Sequence, residues 1–192
     1  MSDPIEVLDF WLGEVGPDGW YAGSAALDDG IRERFLEVWT AARDGGLEHW
    51  VVSPAGALAY IVICDQLSRN MHRGQADAFA TDALARAAAR VALAAAWDME
   101  VPEPERQFFY MPLEHSEDAA DQALGLSLMQ ERLPGEPDIA LHARAHQEVI
   151  VRFGRFPGRN AALGRADTPQ EAAFQAAGGY AALVKALSNS HA

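Results

Sequence analysis

The sequence predicts an all-α protein, a single domain over residues 1–192 built from about nine helices paired as antiparallel hairpins. Three observations point there. Alanine fills 37 positions while valine, isoleucine and threonine together fill 20, a balance that favours helices over strands. Helix starts are explicit: Asp3-Pro4-Ile5-Glu6 and Thr168-Pro169-Gln170-Glu171 each join an N-cap, a proline in the first turn and an acid three residues after the cap. Apolar residues also recur at helical spacing, as in Ile31, Phe35, Val38 and Ala42, and in Ala143, His146, Ile150 and Phe153.

These signals place helices over 4–12, 25–44, 54–68, 77–97, 104–111, 116–132, 138–153, 168–177 and 180–188. Ser53-Pro54 opens the third in the same way as the first. Gly13, Gly45-Gly46, Gly154 and Gly178-Gly179 mark stops, because glycine tolerates the left-handed conformation that follows a last turn. The connection Leu133-Pro134-Gly135-Glu136-Pro137 is short, so its flanking helices should run antiparallel. The most apolar run, Ala55 to Cys64, ends at Asp65 after ten residues, about half of a membrane-spanning helix, and reads as a buried core helix. Trp11, Trp20, Tyr21, Trp39 and Trp50 read as core and loop anchors.

Charge and cysteine content narrow the function. The net charge of -13 opposes binding to nucleic acid or an anionic membrane, since phosphate polymers repel such a surface. A single cysteine, Cys64, excludes an internal disulfide framework and a multi-thiolate zinc site. Together with an N-terminus lacking a basic flank and cleavage site, this fits a cytoplasmic protein. No Gly-x-Ser-x-Gly elbow, phosphate-binding loop, dinucleotide fingerprint or His-Glu-x-x-His motif occurs. No cofactor or metal is implied: His142 and His146 share a helical face, but no third ligand is placed by sequence. His49, His72 and His191 show no spacing that assigns them a role, and Cys64 reads as a packing residue.

Three polar segments interrupt the alanine-rich pattern. The first holds Asp65, Gln66, Arg69, Asn70 and Arg73, with Asp65 and Arg69 four apart on one face. The second is Glu114-His115-Ser116-Glu117-Asp118, where Ser116 or His115 is expected at a helix entry. The third runs from Arg152 through Arg155, Arg159 and Asn160 to Arg165; residues 149–166 hold four arginines and no acid in a strongly acidic chain. A planar guanidinium grips a carboxylate or phosphate through two parallel hydrogen bonds.

Three functional readings follow. Asp65, Gln66, Arg69, Asn70, Arg73, Arg155, Arg159 and Asn160 could line a pocket for an anionic small molecule or peptide carboxylate. Alternatively, His115 could act as general acid or base in a hydrolase or lyase, oriented by Glu114 or Glu117. A third reading pairs Arg152, Arg155, Arg159 and Arg165 with Asp65, Glu114, Glu117 and Asp118 in a purely structural network. Oligomeric state is open.

The same three segments, in this order, resemble the bacterial domain-of-unknown-function family number 924. The likeness runs from Val7-Leu8-Asp9-Phe10-Trp11 to Thr168-Pro169 and Glu171. It implies the tetratricopeptide-like superfamily of stacked helical hairpins and no particular activity. Gly158 stands where the family pattern usually has histidine, and Ser68 where it usually has proline, so a mechanism needing a histidine at 158 cannot operate here.

Overall fold

The computed structural model describes residues 3–190, which places His191 outside the described residues. Those residues are helical with no strand among them, and they divide into two compact units, Met1–Pro112 and Leu113–Ala192.

In the first unit, helix α1 (Pro4–Leu8) starts on Asp3, whose carboxylate accepts from Ile5 N at 2.9 Å. It continues through a π-helical stretch, Asp9–Val15, into α2 (Gly16–Trp20). Gly13 therefore lies within a helical run rather than at a stop, and Gly16, at φ 63°, takes the positive dihedral instead. Ser24 caps α3 (Ala25–Arg43), which buries Ile31, Phe35, Val38, Trp39 and Ala42. Ser53 caps α4 (Pro54–Ile61), which runs on as a π-helical turn, Val62–Leu67, into α5 (Ser68–Met71). Every residue from Gly56 to Ser68 is buried, so this is the core helix. Trp11, Trp20, Trp39 and Trp50 pack inside, whereas Tyr21 is 66% exposed.

The helix expected over 77–97 is broken. A 3-10 turn, Ala76–Phe79, precedes α6 (Asp82–Ala94), and a second, Trp97–Glu100, follows it. Thr81 sits at the first break: its hydroxyl donates to Cys64 O at 2.6 Å and accepts from Trp39 Nε1 at 3.2 Å. Those tertiary bonds hold the chain more firmly than helix propensity would. Ala85, Ala88, Ala89 and Ala92 form the buried face of α6, small enough for close approach to α4. The helix expected over 104–111 is a 3-10 turn, Glu105–Phe109, followed by α7 (Met111–Glu114); Pro102, Pro104 and Pro112 bring no N–H to an α-helical ladder.

In the second unit α8 (Ala119–Arg132) begins later than expected. Asp118, rather than Ser116 or His115, is its cap, accepting from Ala120 N and Asp121 N at 2.8 and 3.1 Å. Gly125 lets α8 approach Leu113 and Glu114, where a Cβ would meet Leu113 Cβ at 3.2 Å. The short loop then returns the chain as α9 (Pro137–Phe153), packed on α8 as the expected hairpin and ended by Gly154 at φ 69°. Thr168 and Glu171 form a full capping box on α10 (Pro169–Ala176). After Gly178 comes α11 (Gly179–Asn189), which packs on α9. Ala145, Val149, Ile150, Phe156 and Leu183 make the core here, flanked by Phe153, Phe174 and Tyr180.

Candidate functional site

The polar residues of the first unit are engaged with one another. Asp65, fully buried on the π-helical turn, accepts from Gln66 and lies 3.3 Å from Arg69 Nη2. Arg69 Nη1 reaches Asp82 Oδ1 at 3.0 Å and Ala78 O at 3.1 Å. Arg73 clasps Asp28 through Nε and Nη2 at 2.6 and 2.9 Å, and Asn70 donates to the same carboxylate at 2.8 Å. The Arg73 hydrogen bonds hold the Asp28 carboxyl below its ordinary pKa, outweighing burial. Burial pushes the Cys64 thiol up, the state of an inert packing residue.

In the second unit the arginine segment folds onto acids. Arg155 pairs with Glu171 at 2.6 and 2.7 Å, and Arg165 with Glu117 at 2.8 and 3.0 Å. Glu117 also accepts from Phe156 N at 2.8 Å. Asn160 bridges Asp167 and Arg165, and Arg152 pairs with Glu148 on the surface. Of the carboxylates expected opposite these arginines, Glu117 is engaged by Arg165, while Glu171 and Glu148 were not anticipated. Arg159 donates to His115 O at 2.9 Å and stacks over the Phe156 ring at 4.5 Å.

Between these pairs lies a histidine cluster. Glu114, 4% exposed, places Oε1 2.5 Å from Nδ1 of His146 on α9. The same Nδ1 lies 3.0 Å from His142 O and 3.1 Å from the Tyr180 hydroxyl on α11, and that hydroxyl is 2.8 Å from His142 Nδ1. A carboxylate and a carbonyl can only accept, so Nδ1 of His146 carries the proton. Burial pushes the Glu114 carboxyl up, but the charge and hydrogen bond of His146, with His115 and His142 nearby, hold it below its ordinary value. The His115 ring stands 5.9 Å from that of His146, edge to face. Glu114 thus orients His146 rather than His115, and Glu117 is occupied by Arg165.

His146 also lines a cavity of about 160 Å³ with Val149, Phe156, Pro157, Gly158, Arg159, Phe174, Gln175 and Tyr180. No group of three or more His, Cys, Asp or Glu among the described residues is arranged to hold a metal ion, and no described helix is long and apolar enough to cross a membrane.

The model of the family described as bacterial protein of unknown function (DUF924) matches residues 7–179. The chain belongs to this family. Among solved structures, a protein of unknown function from Agrobacterium tumefaciens is similar to this DUF924 chain at 38% identity, with a TM-score of 0.84. The match covers 90% of this chain and 96% of that one. None of the curated proteins compared with the chain matches it.

Sequence reasoning about this DUF924 member placed His142 and His146 on one face but missed their partners. Glu114 is 32 positions from His146 and Tyr180 is 34, and nothing in the local pattern of α11 singles out its tyrosine.

The paired acids make a pH prediction. Arg155 hydrogen bonds, then the Thr168 backbone, hold Glu171 at about 2 against an ordinary 4.5. The unfolded chain therefore takes up this proton first, and the pair's stabilisation is complete above pH 4.5 and disappears as pH falls toward 2. In urea titrations, Glu171→Gln should be less stable than wild type at pH 6, with the difference shrinking steadily below pH 4.5. A pH-independent difference would contradict the assignment.

Proposed function

We propose that the Leu113–Ala192 unit performs general acid–base chemistry on a small molecule, with Nε2 of His146 exchanging the proton and Glu114 holding the ring. The carrying observation is the buried carboxylate 2.5 Å from Nδ1 of a histidine that lines a cavity. A carboxylate on one ring nitrogen fixes the tautomer, leaves a lone pair on the other and stabilises the imidazolium that forms. The hydrogen bonds of His146 to described residues all use Nδ1, which leaves Nε2 for a guest.

No serine, threonine or cysteine lines the cavity, so the chemistry that fits is hydrolysis by an activated water or proton abstraction in a lyase. The acid–base role moves from His115, where sequence reasoning put it, to His146. The reading as an arginine-lined anion pocket has less support, because Arg69, Arg73 and Arg155 each face a carboxylate. The α8–α9 hairpin, followed by α10 and α11, supports stacked hairpins of the tetratricopeptide-like kind. An acidic chain with one buried thiol supports a reducing cytoplasmic setting.

Hydrolysis of p-nitrophenyl acetate tests the reading. His146→Gln should lower kcat/KM by about 100-fold, while the exposed His49→Gln leaves it unchanged. Equal rates from wild type and His146→Gln would overturn the proposal.

A further inference from the structure

We infer that the cavity beside His146 takes a neutral, single-ring aromatic molecule that donates one hydrogen bond, a phenol in the simplest case. The shape follows from the walls. Phe156, Phe174 and Tyr180 supply rings, and Val149 and Pro157 supply further apolar surface. The His146 ring stands edge to face with Phe156 at 5.5 Å and lies 4.7 Å from Tyr180. A flat guest gains from such rings through offset or edge-to-face contact, beyond the area it buries. The volume, about 160 Å³, is close to the roughly 150 Å³ of an apolar cavity that holds benzene. It falls below the roughly 300–1,000 Å³ of sites for drug-sized ligands, so one ring fits and a peptide does not.

Charge around the cavity is already matched. Arg159 donates through Nη2 to His115 O at 2.9 Å. Burial pushes the Glu117 carboxyl up, but the Arg165 hydrogen bond, the Phe156 N–H and the charges of Arg165 and Arg159 hold it below its ordinary value. The Arg159 charge therefore answers an acid of the protein. Glu114, ionised behind His146, is engaged by the Nδ1 proton. A guest of either charge would leave water for a site whose own charges have their partners, and nothing there offsets that desolvation. A neutral guest avoids the cost.

The donor follows from the tautomer. With the proton on Nδ1, Nε2 of His146 presents a lone pair, and the hydrogen bonds of His146 to described residues all use Nδ1. A ring bearing an O–H satisfies that acceptor. A ring without one displaces water and leaves it unpaired against apolar surface.

Gly158 provides an independent handle. It lines the cavity, its dihedral is not in the left-handed region, and a Cβ there would meet nothing nearer than Gln175 Nε2 at 3.8 Å. Leucine at 158 would therefore occupy cavity space without straining the backbone.

This inference rests on the cavity and the tautomer of the reading above, though not on His146 transferring a proton. Titration of the full chain with phenol, fluorobenzene, cyclohexanol, benzoate and benzylammonium, followed by the nitrogen-15 amide shifts of Gly158 and Gln175, tests it without any turnover. Phenol should bind wild type about fivefold more tightly than fluorobenzene, the scale of one net hydrogen bond, and by at least that margin over cyclohexanol and the two ions. His146→Phe should bring phenol down to the fluorobenzene level. Glu114→Gln, which frees the tautomer but keeps the ring, should shrink the phenol advantage, and it gives the same reading should His146→Phe fail to fold. Gly158→Leu should abolish binding of both while circular dichroism stays helical. Preference for phenol in a protein that turns nothing over would leave this inference standing and remove only the catalytic reading. Fluorobenzene, cyclohexanol or either ion binding as tightly as phenol, no phenol binding at all, a phenol advantage that survives loss of the acceptor, or phenol unaffected by Gly158→Leu would each overturn it.

Discussion

Arg69→Met is expected to destabilise the Met1–Pro112 unit by about 3–5 kcal/mol, the usual cost of removing one partner from a buried ionic group. Arg69 stands between two carboxylates, 3.3 Å from Asp65 and 3.0 Å from Asp82, whose side chains are 0% and 10% exposed. Methionine fills the space but removes the guanidinium that stands between the two acids, and with it the Arg69 hydrogen bond to Ala78 O. The charge, rather than the packing, is what is lost. Adding Asp65→Asn to Arg69→Met should therefore recover part of the loss, a coupling that a double-mutant cycle measures directly. All five tryptophans fall in this unit, so urea unfolding followed by their fluorescence reports on it alone. A loss below about 1 kcal/mol, the scale of an exposed pair, would contradict a buried charge network.

Glu114→Gln is expected to cut turnover of p-nitrophenyl acetate by about 100-fold with the fold intact. The amide matches the carboxylate in shape but can donate as well as accept, so it no longer forces the proton onto Nδ1, and it supplies no charge against an imidazolium. The loss should fall on kcat with KM unchanged, because the side chain touches His146 rather than the guest. Combining it with His146→Gln should cost no more than His146→Gln alone, since the two act as one device. A rise in KM at constant kcat would place Glu114 in binding instead.

Much of the helical frame was legible because it is written in local chemistry. Asp3, Ser53 and Thr168 cap their helices through contacts two or three residues ahead, and the Ile31, Phe35, Val38 and Ala42 stripe is buried as read. Features that depend on distant partners were not legible. The π-helical turns at Asp9–Val15 and Val62–Leu67 leave no mark in residue spacing, and Thr81 breaks a good helical pattern through bonds to Cys64 and Trp39. The basic segment was visible as charge, yet its partners were not. Glu171 was noticed only as a capping residue, although its carboxylate serves both Thr168 and Arg155.

His146 shows the limit most clearly. Its place on the apolar stripe of α9 is that of a packing residue, and its side chain is 19% exposed. Only the fold brings a carboxylate from α7 and a tyrosine from α11 to the same ring nitrogen. The direct measurement is long-range nitrogen-15 NMR of the neutral His146 ring in the wild-type protein. The expected result is a proton on Nδ1 with Nε2 as a bare acceptor, and a shift toward mixed tautomers in Glu114→Gln. A neutral ring protonated on Nε2 in the wild type would leave no base facing the cavity and would contradict the assignment.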